Sequence, residues 1–103
     1  MDNTITRGVF LGFVRVHVLH HAAEGPVFGL EMIEELRHHG YSIGPGTLYP
    51  ILHSLENAGC LRSQEEIVDG KRRKNYVATA RGRRALAAVR KQIRELSNEV
   101  LED

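Results

Sequence analysis

Tryptophan is absent from this chain, cysteine occurs once, and aromatic side chains make up only 6% of its 103 residues. A lone cysteine, Cys60, cannot close an internal disulfide, which argues against a cross-linked secreted scaffold and fits a reducing, cytoplasmic compartment. Cys60 itself reads as a small apolar side chain just past a helix end. No apolar run reaches the ~20 residues of a membrane span. The longest candidate, GVFLGFVRVHVLHHA from Gly8 to Ala22, is interrupted by Arg15, His17, His20 and His21. Met1 to Arg7 carries no signal-peptide pattern and reads as a short polar arm. Also missing are a glycine loop to cradle phosphate, a recognisable carboxylate pair and a nucleophile with an evident base. Gly44, Pro45 and Gly46 are turn chemistry, so an enzyme is not expected.

One further absence is local. Residues 71 to 94 contain ten basic side chains and no acidic one, whereas residues 1 to 70 carry four basic and nine acidic groups. The overall charge of +1 hides this partition. A basic block that starts at a turn and runs into a helix can form the footprint of a polyanion, although dense charge of one sign is also what a solvated face looks like.

The chain is organised around Gly44 to Gly59, GPGTLYPILHSLENAG. Leu48, Ile51, Leu52 and Leu55 recur at helical spacing, which predicts a buried stripe, and Gly59 stands where a left-handed cap is expected. Thr47, Tyr49, His53, Ser54 and Asn57 point away from that stripe. Such small polar groups suit contact with phosphates and base edges, or simply with water. Pro50 removes one backbone donor and is tolerable only near the helix start.

The preceding segment, Phe28 to His39, reads as a helix with Leu30, Ile33 and Leu36 in period, ended by Gly40. His38 and His39 read as partners of its C-terminal dipole. Two helices joined by a short turn with Ser42, Gly44 and Pro45 make a helix-turn-helix. Gly8 to Ala22 reads as a helix, with a strand as the alternative, and is apolar on nearly all sides, so it should be covered by its own domain and by something else. Leu61 to Val68 alternates as a strand with Leu61 and Ile67 on one side. Asp69-Gly70 signals a two-residue hairpin, and Tyr76 to Thr79 is the expected return strand. Lys71, Arg72, Arg73 and Lys74 then sit at or beside the hairpin tip. From a Thr79 N-cap, Leu86, Val89, Ile93, Leu96 and Val100 follow a 3-4 repeat, read either as a short dimer seam or as an amphipathic helix on its own core.

The order helix, helix, basic hairpin is that of a winged helix-turn-helix, and LYPILHSLENAGCL with DGKRRKNYVATARGRRAL resembles the PadR (phenolic-acid decarboxylase regulator) family. Leu48, Tyr49 and Pro50, then Leu55, Glu56 and Gly59, then Gly70, Arg72, Arg73, Tyr76, Thr79 and Gly82 carry the resemblance, which spans about Gly25 to Leu86. It implies a mainly α fold with a small β-hairpin (α+β) and a homodimeric DNA-binding regulator, often a repressor. Residues 1–79 would form the winged domain and residues 80–103 a C-terminal dimerisation helix, as in short-tailed members. Double-stranded DNA would be read by helix 45–58 through Thr47, Tyr49, His53 and Ser54, and held by wing residues 69–74 through Lys71, Arg72, Arg73 and Lys74.

Phe10, Phe13, Leu86, Val89, Ile93, Leu96 and Val100 are the expected dimer contacts. The tryptophan sandwich by which some relatives hold flat aromatic drugs cannot operate here. A small hydrophobic effector could instead lodge among Phe10, Phe13, Val14, His17, Val89 and Ile93 at the dimer centre, against the plainer reading of a packed core. No cofactor is expected. The rival reading from another class is a metal-responsive winged helix using His17, His20 and His21, whose i, i+3, i+4 spacing brings imidazoles to one helix face. A protein-interaction module is a third reading, disfavoured by the acid-free basic run.

Overall fold

The N-terminal apolar run forms one long helix, α1 (Thr4–Glu24), in the computed structural model, which describes residues 3–102. The expected polar arm is therefore largely helical. The N–H of Arg7 donates to the Asn3 carbonyl at 2.9 Å and the Thr6 hydroxyl to the same oxygen at 2.9 Å, which starts the helix early; Met1 and Asp2 lie outside the described residues. Val14, Val18, Leu19 and Ala22 are its buried face. Among the described residues no helix is long and apolar enough to cross a membrane.

A two-residue strand, β1 (Val27–Phe28), precedes α2 (Gly29–His38). Two residues are too few to show alternation, and β1 is recognisable only by its pairing. Helix α2 buries Gly29, Met32, Ile33 and Leu36, while Leu30, expected in the core stripe, is exposed. Helix α3 (Pro45–Asn57) ends one residue short of the expected 45–58 and buries Leu48, Ile51 and Leu52 as its periodicity predicts. Both helices close in the same way. Tyr41 N–H donates to the Leu36 carbonyl and Cys60 N–H to the Leu55 carbonyl, each across a glycine with positive φ, Gly40 at 88° and Gly59 at 80°. This double-bonded cap satisfies carbonyls that would otherwise be orphaned, and it needs a left-handed residue at that position.

The hairpin is β2 (Leu61–Val68) and β3 (Lys71–Ala78), turning at Asp69 (φ 52°) and Gly70 (φ 74°), the paired positive angles that an Asp-Gly turn supplies. The return strand is longer than expected, because Lys71 to Asn75 continue the ladder opposite Val68 to Gln64 despite their charge. The sheet is antiparallel with order β1-β3-β2, Val27 facing Tyr76 and Ser63 facing the same residue from the other side. Leu61 and Tyr76 are buried at the base of the hairpin. Ile67, expected on the Leu61 side, is exposed, since the distal half of the hairpin projects past the core.

Helix α4 (Ala80–Val100) starts as predicted. The Thr79 hydroxyl accepts from Gly82 N–H at 3.0 Å and donates to the Gly59 carbonyl at 2.5 Å, tying the end of α3 to the start of α4. Leu86 enters the core, but the distal half of α4 does not: Ile93, Leu96 and Val100 are exposed. The radius of gyration, 14.8 Å, accordingly exceeds the ~13 Å of a compact chain of this length. Among the described residues the architecture is thus four helices and a three-stranded antiparallel sheet, an α+β arrangement.

Candidate nucleic-acid interface

Helix α3 is held on the body by Leu48, Ile51 and Leu52, which leaves the polar side free. His53 and Ser54 are exposed there and Thr47 and Tyr49 are half-buried. The Tyr49 phenol reaches across to Gly29 on α2, so closely that a Cβ at position 29 would collide with its hydroxyl. Glycine at 29 is what lets the ring lie there. Tyr49 is therefore partly a packing residue.

The wing completes the same surface. A groove of about 500 Å³ runs between it and the two helices, lined by Phe28, Gly29, Leu30, Tyr49, Val68, Asp69 and the four basic residues 71–74. Those four lie beside the hairpin tip, in the first half of β3, where alternation puts Lys71 with Arg73 on one face and Arg72 with Lys74 on the other. Lys71, Arg72 and Lys74 are exposed, whereas Arg73 is turned inward. Its guanidinium carbon lies 3.7 Å from the centre of the Phe28 ring and its Nη2 3.4 Å from Glu31 Oε2. Arg72 Nη1 is 3.7 Å from Glu65 Oε2, a loose pair between exposed side chains that contributes little. Lys71 shares the face of Arg73 but lies nearer the tip; Arg73 is covered because β1 ends beside it, with Phe28 paired to Asn75 two residues on.

Glu56, on the other flank of α3, accepts from the Ser63 hydroxyl at 2.5 Å and from the Ser63 N–H at 3.1 Å. The hydroxyl bond above all holds its carboxyl below the usual carboxylate range, and the contact locks α3 to β2.

The expected dimer residues divide. Leu86, 4% exposed, belongs to the intrachain core, and Phe10 is half-buried with its ring 5.2 Å from that of Tyr41. Neither is an open seam residue, because each already packs against its own chain. Phe13 (47% exposed) and Ile93 (41%) remain open, with Leu96 and Val100. Val14, expected to line an effector site, is fully buried, and the cleft between α1 and α4 is lined by His20, Ala23, Glu24, Arg83, Leu86 and Arg90, a largely polar set.

The histidines also regroup. His20 lies beside α4, its Nδ1 3.4 Å from Arg90 Nη2, so His17, His20 and His21 do not form one set of three. His39 takes that place: its ring centre is 4.9 Å from that of His17 and 6.2 Å from that of His21. Its position as the C-cap of α2 turns the side chain back onto α1, a role beyond the dipole partner suggested by sequence. Burial first, then the neighbouring His39, His21 and His20, lower the pKa of His17 below the ordinary histidine value, with Glu35 opposing.

A helix pair with a tight turn, followed by a β-hairpin flanking the second helix, defines the winged helix-turn-helix class. The transcriptional regulator PadR-like family matches residues 18–88. The chain is 51% identical over 88 residues to transcriptional regulator Rv3488 of Mycobacterium tuberculosis, covering 85% of this chain and 82% of that protein. Its fold is similar to that of a PadR family transcriptional regulator from Eggerthella lenta, with a TM-score of 0.83 at 32% identity over 95% of this chain and 87% of the other. It is also similar to a PadR-like transcription factor from Bacteroides fragilis, with a TM-score of 0.80 at 26% identity over 96% of each. The chain belongs to the PadR-like family of transcriptional regulators, whose members are regulators and not enzymes.

Proposed function

We propose that this regulator binds double-stranded DNA as a homodimeric repressor, with α3 in the major groove and the wing along the phosphate backbone. The observation that carries the reading is the shared groove, in which Tyr49 of α3 faces the exposed cations Lys71, Arg72 and Lys74 of the wing. Cations so placed hold phosphates, while Thr47, His53 and Ser54, on the outer side of α3, reach base edges. Arg73 serves by fixing the wing rather than by touching DNA. Localisation in the cytoplasm follows from that role.

The dimer is supported by apolar groups left uncovered. Ile5, Val9 and Phe13 recur every fourth residue on α1, and Ile93, Leu96 and Val100 follow the seam spacing on α4. Two copies would bury both stripes, with residues 80–103 as the main dimerisation helix and Val89 at its edge, and would present two α3 helices to the half-sites of a palindrome. A small hydrophobic effector belongs in this reading only between the two copies, since Phe10 and Val14 are engaged within one chain. Footprinting on the DNA flanking the protein's own gene tests the whole: two protected half-sites about one helical turn apart are expected, and uniform protection that moves with no sequence would refute specific reading.

A further inference from the structure

His17 and His21 sit one turn apart on α1, and the fold brings His39 to them from the far end of α2. Their ligand nitrogens all lie within 4.8 Å of one another. His21 Nε2 is buried and has no hydrogen-bond partner among the described residues. The nearest carboxylate oxygen, Glu35 Oε1, is 3.6 Å from it and 3.2 Å from His39 Nε2. Beside the cluster opens a cleft of about 360 Å³ whose lining includes Glu24, Glu31 and Glu35 with His21, an acidic approach that favours a cation over an anion.

From this convergence we infer that His17, His21, His39 and Glu35 form a site for a divalent transition-metal ion of the zinc type. Imidazole and carboxylate are the donors such ions take, with metal–nitrogen bonds of ~2.0–2.1 Å in a tetrahedral shell. The histidine donor atoms, within 4.8 Å of one another, must draw together by roughly an ångström, which rotation of side chains on two helices can supply, with Glu35 joining from beside His21 and His39. A buried imidazole nitrogen without a partner gains one in the process. The plainer account, aromatic stacking with weak ion pairs, leaves that nitrogen at 3.6 Å from Glu35 Oε1 and without a hydrogen bond. A second grouping, His20, His21 and Glu24, lies wholly on α1 and competes for His21. It is the weaker site, because its residues span a single helix and one of the two His20 nitrogens, Nδ1, is engaged with Arg90.

The position gives the metal a lever. His39 caps α2, Gly40 and Tyr41 follow, and Tyr41 lies edge-on to His17 with ring centres 4.9 Å apart. A bound ion would tie α1 to the turn that launches α3. The consequence, resting on the DNA-binding reading above, is that metal and DNA affinities are coupled, in either direction by the same factor.

The test is calorimetric titration of the full chain with Zn2+, with chelator competition, and Co2+ absorption to report the ligand field. One ion per chain is expected. His39→Ala should weaken Zn2+ binding by about 100-fold and Glu35→Gln by about 10-fold, and Zn2+ should raise the Tm of the unsubstituted protein but not that of His39→Ala. His39 is exposed at a helix end, and a circular-dichroism melt without metal verifies that the variant folds. His20→Ala should bind as the parent does. No Zn2+ binding by the parent, undiminished binding by His39→Ala, or loss on His20→Ala in its place would each overturn the assignment. DNA binding measured separately in chelator keeps the two readings apart: a protein that takes Zn2+ but not DNA refutes the operator reading and leaves the metal site standing.

Discussion

The guanidinium of Arg73 stacks on the ring of Phe28, 3.7 Å from its centre, and so fastens the wing to the strand that opens α2. With Glu31 at 3.4 Å as well, this arginine is a structural clamp inside a run of otherwise exposed cations. Replacing it should act on the fold before it acts on any ligand. We expect Arg73→Ala to destabilise the protein by ~1–2 kcal/mol, the range of a partly desolvated cation–π stack together with the packing of the side-chain stem. Urea unfolding measures it, and a change within the scatter of surface substitutions would show that the stack is incidental.

Arg72 and Lys74 should behave in the opposite way. Both are exposed, and neither substitution should shift the urea midpoint appreciably. Removing one cation from a phosphate should flatten the slope of log affinity against log salt by about 0.9. The double variant with alanine at both positions is therefore expected to bind every sequence more weakly with a slope shallower by about 1.8. An unaltered slope would place the wing away from the backbone.

Thr47 and His53 carry a different expectation. Their replacement by alanine should alter the ranking of sequences, with a penalty of ~1–3 kcal/mol at one base pair and little elsewhere. Competition binding against single-base variants of the footprinted site decides it. Equal weakening on all DNA would make α3 a positioning element only.

Ile93→Asp should split the proposed dimer. A charge in the exposed seam has to be buried without a partner on association, which costs several kcal/mol. Sedimentation should show an 11.6 kDa monomer for the variant and twice that mass for the parent. A parent that already sediments as a monomer at micromolar concentration would remove the dimer from the proposal.

The pair Glu56 and Ser63 predicts a pH effect of definite sign. Hydrogen bonding depresses the Glu56 pKa in the folded state, so its contribution is fully present above the ordinary value of 4.5 and is lost as pH falls through the lower, folded value. Ser63→Ala should return the carboxyl toward 4.5, seen by carboxyl NMR titration. The stability gap between the two proteins should be widest at neutral pH and should close in acid. A gap independent of pH would mean that Ser63 acts by packing alone.

Sequence by itself determined the elements whose signals are local. The stripe Leu48, Ile51, Leu52 dictates which side of α3 is buried, Gly40 and Gly59 stop two helices by tolerating positive φ, Asp69-Gly70 turns the hairpin, and Thr79 caps α4. Motifs in order were also enough to reach the family, since residue types and their spacing are read along the chain without knowing what each side chain meets.

Tertiary structure alone decided the rest, because it depended on residues distant in the chain. The two residues of β1 become a strand only by pairing with Asn75 and Tyr76. Leu30 and Ile67 keep the right period yet stay exposed, as nothing among the described residues packs over those parts of α2 and the wing. Packing on Phe28 of β1 turns one arginine of four cations inward, and the path of the α2–α3 turn, not the spacing on α1, chooses His39 over His20 as the partner of His17 and His21. Periodicity reports which face of an element is apolar; what that face meets is settled by the three-dimensional packing of the whole chain.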